Sequence, residues 1–190
     1  MSIAILTQFT PNPNAMKFIL NRDVKTADKV TFRHPEEAAG VPLVEALFEL
    51  SFVEQVHLFE NVITVTKTVD EPWQEAIDTV KSVVQSKIDD HDPGFSVSDG
   101  ERAPTSHVRE DQPLEVQQIE EVLDRTVRPY LQSDGGDLDV LAYEDKRVVV
   151  SYAGACGTCP SAVSGTLDAI QSVLRSEVDP EIQVVSVGGE

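Results

Sequence analysis

Two cysteines, Cys156 and Cys159, are the residues of this 190-residue chain whose type and spacing point most directly to chemistry. They stand in Gly154-Ala155-Cys156-Gly157-Thr158-Cys159-Pro160-Ser161. Thiolates are soft ligands that select iron-sulfur clusters, Cu(I) or zinc, and two intervening residues let both sulfurs converge on one centre. Gly157 leaves room for a metal and lets the backbone turn sharply. Pro160 suits the first turn of a helix, which puts Cys159 at or just before a helix N-terminus. Unpaired N–H groups and the macrodipole there lower thiol pKa values and favour an anionic group.

Two thiolates are half of what a cubane or a tetrahedral zinc takes, and the chain has no third cysteine. A two-fold dimer, with Cys156 and Cys159 of each subunit facing their copies, would supply four. A cluster held across such an interface is exposed and detachable, which suits delivery better than electron transfer. Two other chemistries use the same residues. Cys-x-x-Cys serves thiol-disulfide exchange, although thioredoxin-like loops tend to place an aromatic before the first cysteine and proline between the two, where this chain has Ala155 and Gly157-Thr158. A zinc shared by the dimer needs no other ligands, although structural zinc usually completes its four within one chain.

The elements that must position this loop alternate along the chain. Short apolar runs from Ile3 to about Phe32, broken by Thr10-Pro11-Asn12-Pro13-Asn14, predict strands with a turn-rich connector. Pro42 opens a helix carrying Leu43, Leu47 and Leu50. Val56 to Phe59 and Val62 to Thr66 flank Glu60-Asn61, a hairpin in which Asn61 is the residue suited to a positive φ. Trp73, Ile77, Val80, Val84 and Ile88 make a helical stripe, expected to be core. Residues 91 to 112, rich in Pro, Gly, Ser and charge, predict a flexible linker able to span roughly 25 Å. After Pro113, Val116, Ile119, Leu123, Val127 and Tyr130 form a second stripe that runs into Ser133-Asp134-Gly135-Gly136-Asp137, where two glycines stop the helix. A hairpin around Glu144-Asp145-Lys146, the cysteine loop, a helix bearing Val163, Leu167, Ile170, Leu174 and Val178, and a strand from Ile182 to Val187 complete the chain. The expected fold is α+β: two small α/β sandwich domains, 1–90 and 113–190, joined by the linker 91–112.

The net charge of −18 and pI near 4.4 argue against nucleic acid or an anionic membrane as partner, since acidic residues outnumber basic ones in every segment. The start, Met1-Ser2-Ile3-Ala4-Ile5-Leu6, lacks the basic or Arg-rich pattern of a leader, and a cytoplasmic protein, or one already processed, is expected. His34, His57, His91 and His107 have no paired spacing and are expected on the surface or in the linker. No nucleophile-base order or phosphate-cradling loop stands out, so no enzyme is expected.

Residues 113 to 187 resemble the NifU C-terminal (Nfu-type) domain, through Ser133-Asp134-Gly135-Gly136-Asp137 and Cys156-Gly157-Thr158-Cys159-Pro160-Ser161. The first segment is similar to the N-terminal domain found with it in Nfu proteins, through Thr10-Pro11-Asn12-Pro13-Asn14, Lys17-Phe18, Leu47-Phe48 and Val62-Ile63-Thr64-Val65-Thr66-Lys67 before Trp73. The resemblance implies a homodimer that receives an iron-sulfur cluster, [4Fe-4S] with [2Fe-2S] as the alternative, from assembly machinery and passes it to apo-proteins.

Overall fold

The computed structural model describes residues 3–68, 72–96, 113–155 and 160–187, with the backbone alone for 27, 28 and 160–164. The chain forms two compact units, Met1–Asp99 and Gly100–Glu190, each combining helices and a sheet as the α+β reading expects. No helix among the described residues is long and apolar enough to cross a membrane.

In the first unit, β1 (Ile5–Phe9), β2 (Ala15–Leu20) and β3 (Lys25–Phe32) are followed by α1 (Pro42–Phe48), β4 (Val53–Glu60), β5 (Val62–Lys67) and α2 (Trp73–Lys87). The strands form one antiparallel sheet in the order β1-β2-β5-β4-β3. Strand alternation sends Met16, Phe18 and Leu20 into a core with Leu43 and Leu47 of α1 and Trp73, Val80 and Val84 of α2, the expected stripes. The Thr10 to Asn14 connector is a built turn. Asn12 Oδ1 accepts from Asn14 N at 2.9 Å, Thr10 Oγ1 donates to the Ala15 carbonyl at 3.0 Å, and the Trp73 indole N–H donates to Pro13 O at 2.9 Å. The β4–β5 hairpin turns at Glu60-Asn61, but Glu60 takes the positive φ, 50°. Asn61 instead ties the turn to β2, its Nδ2 donating to Leu20 O at 2.7 Å and its own carbonyl accepting from Leu20 N at 2.9 Å.

This unit continues past residue 90. His91, expected in the linker, is buried, with Nε2 at 2.7 Å from the Val24 carbonyl and its ring edge-on to Phe95. Phe95 stacks on Phe32, and Pro93 O accepts from Thr26 N at 3.0 Å. Residues 91–95 are thus a strap on the sheet, and the segment read as linker is packed at its start. Composition concealed this, because three polar neighbours outweigh one Phe in any window. His91→Ala should cost the first unit about 1–3 kcal/mol in urea unfolding, the penalty of leaving the buried Val24 carbonyl unsatisfied. Burial lowers the His91 pKa from its ordinary 6.5, with Arg22 and Lys25 adding to the shift and the Val24 bond and Asp92 opposing it. The unfolded imidazole therefore takes its proton first, so acidification through 6.5 should destabilise wild type more than His91→Ala.

The second unit comprises α3 (Leu114–Thr126), α4 (Arg128–Ser133), β6 (Gly136–Glu144), β7 (Arg147–Gly154), α5 (Pro160–Glu177) and β8 (Gln183–Ser186). β6 and β7 form an antiparallel hairpin turning on Asp145 and Lys146 (φ 48° and 63°), and β8 lies parallel to β7 after the α5 crossover. Ile119, Leu123, Leu138, Val150, Ile170 and Leu174 are fully buried between helices and sheet. The predicted stripe fails at Tyr130, which is 74% exposed. α3 ends in a distorted turn at Val127 (φ −108°), Pro129 stands in the first turn of α4, and the change of phase buries Leu131 in its place.

Candidate functional site

Cys156 and Cys159, with Gly157 and Thr158 between them, lie outside the described residues. Both anchors of their loop are described. On the far side α5 begins at Pro160, the position expected of a proline in a first turn. On the near side β7 ends at Gly154-Ala155, and here the backbone geometry is unusually constrained.

Gly154 has φ 61° and pairs with Gly136 across the hairpin, while Ala155 N donates to Gly135 O at 3.0 Å. A Cβ at Gly154 would lie 2.4 Å from Gly135 O and 2.8 Å from the Gly136 Cα. The chain into the cysteine loop therefore rests directly on the glycine turn. Gly135 itself has φ 81° and closes α4, its N–H donating to Gln132 O at 3.0 Å. The helix stop expected of Asp134-Gly135-Gly136-Asp137 is present, and it also serves as the seat for Gly154.

Asp137 is not a turn residue facing solvent. It is 1% exposed, with Oδ1 accepting from Leu138 N at 2.7 Å and Oδ2 from Gln132 Nε2 at 2.9 Å. Arg128, 2% exposed, lies beside it with Nε 3.6 Å from Asp137 Oδ1 and 3.3 Å from the Leu138 carbonyl oxygen. The two other guanidinium nitrogens pair with Glu120 and Asp124. Sequence reasoning missed this cluster. Its signal was present in the spacing Glu120, Asp124, Arg128, two acids and a base four residues apart, which resembles an ordinary solvated helix face.

Burial pushes the Glu120 carboxyl up from its ordinary 4.5, against the pull of Arg128, and one of its oxygens, Oε1, has no hydrogen-bond partner. For Arg128 burial opposes the charge, but Glu120 and Asp124 outweigh it and hold the guanidinium protonated. A carboxyl raised in the fold adds stability only once protonated, and that contribution is lost as pH rises through the folded value. Wild type should therefore gain on Glu120→Gln by up to about 1.4 kcal/mol per pH unit as pH falls toward the ordinary carboxylate range. Parallel stability-pH curves for the two proteins would refute the shift.

Of the histidines, His34 is exposed, His107 lies outside the described residues, and His57 and His91 are buried, which corrects their expected surface placement. His57 Nδ1 is 2.8 Å from Thr31 Oγ1, its cross-strand neighbour on β3 at the edge of the first sheet. Among the described residues, no three His, Cys, Asp or Glu side chains are grouped to hold a metal.

The NifU-like domain family matches residues 119–185, and the family described as scaffold protein Nfu/NifU N terminal matches residues 5–91. A human protein named NFU1 iron-sulfur cluster scaffold homolog, mitochondrial, is 33% identical over 183 residues, covering 95% of this chain and 70% of its own length. The chain belongs to the Nfu-type scaffold family. Two further relatives of this Nfu chain are a NifU-like protein of Schizosaccharomyces pombe, 29% identical over 97% of the chain and 72% of that protein, and a Drosophila simulans NFU1 scaffold homolog, 31% identical over 97% and 64%. The Nfu chain thus spans between 64% and 72% of these proteins' own lengths. A solution structure of a NifU-like protein from Saccharomyces cerevisiae aligns with a TM-score of 0.42 at 19% identity, covering 46% of this chain and 79% of that one.

The expectation of a cytoplasmic protein is corrected by these relatives: the human and Drosophila simulans proteins, and NifU-like protein 5 of Arabidopsis thaliana, are named as mitochondrial. The expectation rested on an N-terminus without a leader pattern.

Proposed function

We propose that this Nfu-type chain is a carrier of an iron-sulfur cluster, with Cys156 and Cys159 of two copies as the four ligands and [4Fe-4S] as the cargo. The observation that carries the reading is the coincidence of a scaffold family match over both domains with a two-thiolate loop held between the Gly135-Gly154 contact and the start of α5. Thiolates at a helix N-terminus suit a dianionic cluster, because the unpaired N–H groups and the dipole favour negative charge. Cluster donors of an assembly pathway would load the dimer, and apo iron-sulfur proteins would unload it. The first domain would modulate transfer or partner choice, with residues 97–112 as the connecting segment.

Transfer is ligand exchange. A client thiol loses its proton, the thiolate attacks an iron, and a carrier thiolate leaves and takes up a proton. Repeated at each ligand, this moves the cluster without changing its oxidation level or needing a catalytic residue. Anaerobic reconstitution with iron and sulfide tests the reading. About four of each per dimer, a broad absorption near 400 nm and a shift in mass from monomer to dimer are expected. A colourless monomer cycling between dithiol and disulfide, or tight zinc without iron, would replace it.

A further inference from the structure

We propose that Arg128 is a positioning residue for the cysteine loop, acting through Asp137 and the Gly135-Gly136 turn; for cluster retention the inference rests on the carrier reading above. The route is continuous in the structure. Arg128 is anchored from α3 by Glu120 and Asp124, and its Nε meets both Asp137 Oδ1 and the Leu138 carbonyl. Asp137 in turn fixes the start of β6 by accepting from Leu138 N and from Gln132 of α4. The turn held between those contacts presents the Gly135 carbonyl to Ala155 N, the last described residue before Cys156.

Core packing alone does not explain the arrangement. An apolar side chain of similar volume would fill the Arg128 site at lower desolvation cost, since buried ion pairs seldom add net stability over hydrophobic replacements. The planar fork gives direction instead: it can engage Glu120, Asp124, the Asp137 carboxylate and the Leu138 carbonyl together, which a lysine ammonium cannot do. Glu120 is 0% exposed and Asp137 1%, so these two partners of Arg128 are shielded from solvent screening, while Asp124 closes the cluster at the surface. Its output is the position of one carbonyl, and that carbonyl seats the backbone on which the first ligand follows.

The test separates positioning from stability. Arg128→Lys and Asp137→Asn keep charge or shape, and Ile170→Val, in the same core but away from the turn, serves as a matched control for stability. Amide hydrogen exchange at Ala155, measured on the full-length apo-protein, is the first readout. Arg128→Lys and Asp137→Asn should speed it by roughly tenfold or more relative to Val150 in the core, whereas Ile170→Val should change both alike. After anaerobic reconstitution, iron loss to a chelator should be faster in the two network variants than in Ile170→Val at equal melting temperature. Unchanged Ala155 protection in Arg128→Lys, or iron loss that follows melting temperature alone, would overturn the proposal. A wild type that takes up no cluster but shows the Ala155 effect would remove the carrier reading and leave the positioning role standing.

Discussion

Cys156→Ser and Cys159→Ser are each expected to retain less than about a tenth of the wild-type iron after reconstitution and gel filtration, with unchanged far-ultraviolet circular dichroism. A serine hydroxyl is a hard, protonated ligand at neutral pH and does not match the soft iron of a cluster. In a shared site each substitution also counts twice, because both subunits lose the ligand and a four-thiolate centre falls to two. The fold should survive, since the cores of the second unit are built from Ile119, Leu123, Leu138, Val150, Ile170 and Leu174, none of them in the loop. Full iron retention in either variant would sink the ligand assignment, and a lost fold would mean that the loop packs more tightly than its sequence suggests.

Gly154→Ala carries the second large effect, and here the fold itself should suffer. The added methyl meets Gly135 O at 2.4 Å and the Gly136 Cα at 2.8 Å, both backbone atoms unable to swing aside, at a φ of 61° that L residues seldom adopt. Strained backbone of this kind costs on the order of 1–3 kcal/mol before the collision is counted. The second unit should lose at least about 2 kcal/mol, a fall in melting temperature of roughly 8–16 °C for a domain of this size. Cluster retention should fall with it, because the displaced strand end leads straight into Cys156. Wild-type stability and iron content in this variant would mean that β6 and β7 separate at no cost.

The alternation of Met16, Phe18 and Leu20 and the stripe of Trp73, Val80 and Val84 were legible because burial leaves a periodic mark of apolar residues. The cysteine pair and Pro160 were legible as chemistry because their spacing is local. Arg128 and Asp137 were not, since a charged residue satisfied by partners from other elements has the same sequence appearance as one satisfied by water. Tyr130 and Leu131 exchanged places for a related reason: a change of phase at Val127 breaks the period that the eye extends across it. His91 shows the limit of composition, where one ring anchored on a carbonyl turns an apparent linker into a strap.

The lone tryptophan, Trp73, sits in the first unit with its indole on Pro13 O and the Lys67 ammonium 5.4 Å from its ring, whereas all three tyrosines, Tyr130, Tyr143 and Tyr152, belong to the second. Intrinsic fluorescence is therefore divided along the same line as the fold. Emission excited at the red edge, where only indole absorbs, follows the Nfu N-terminal half, and phenol emission follows the half that carries the cysteines. One unlabelled sample in one cuvette can show which half a partner protein stabilises.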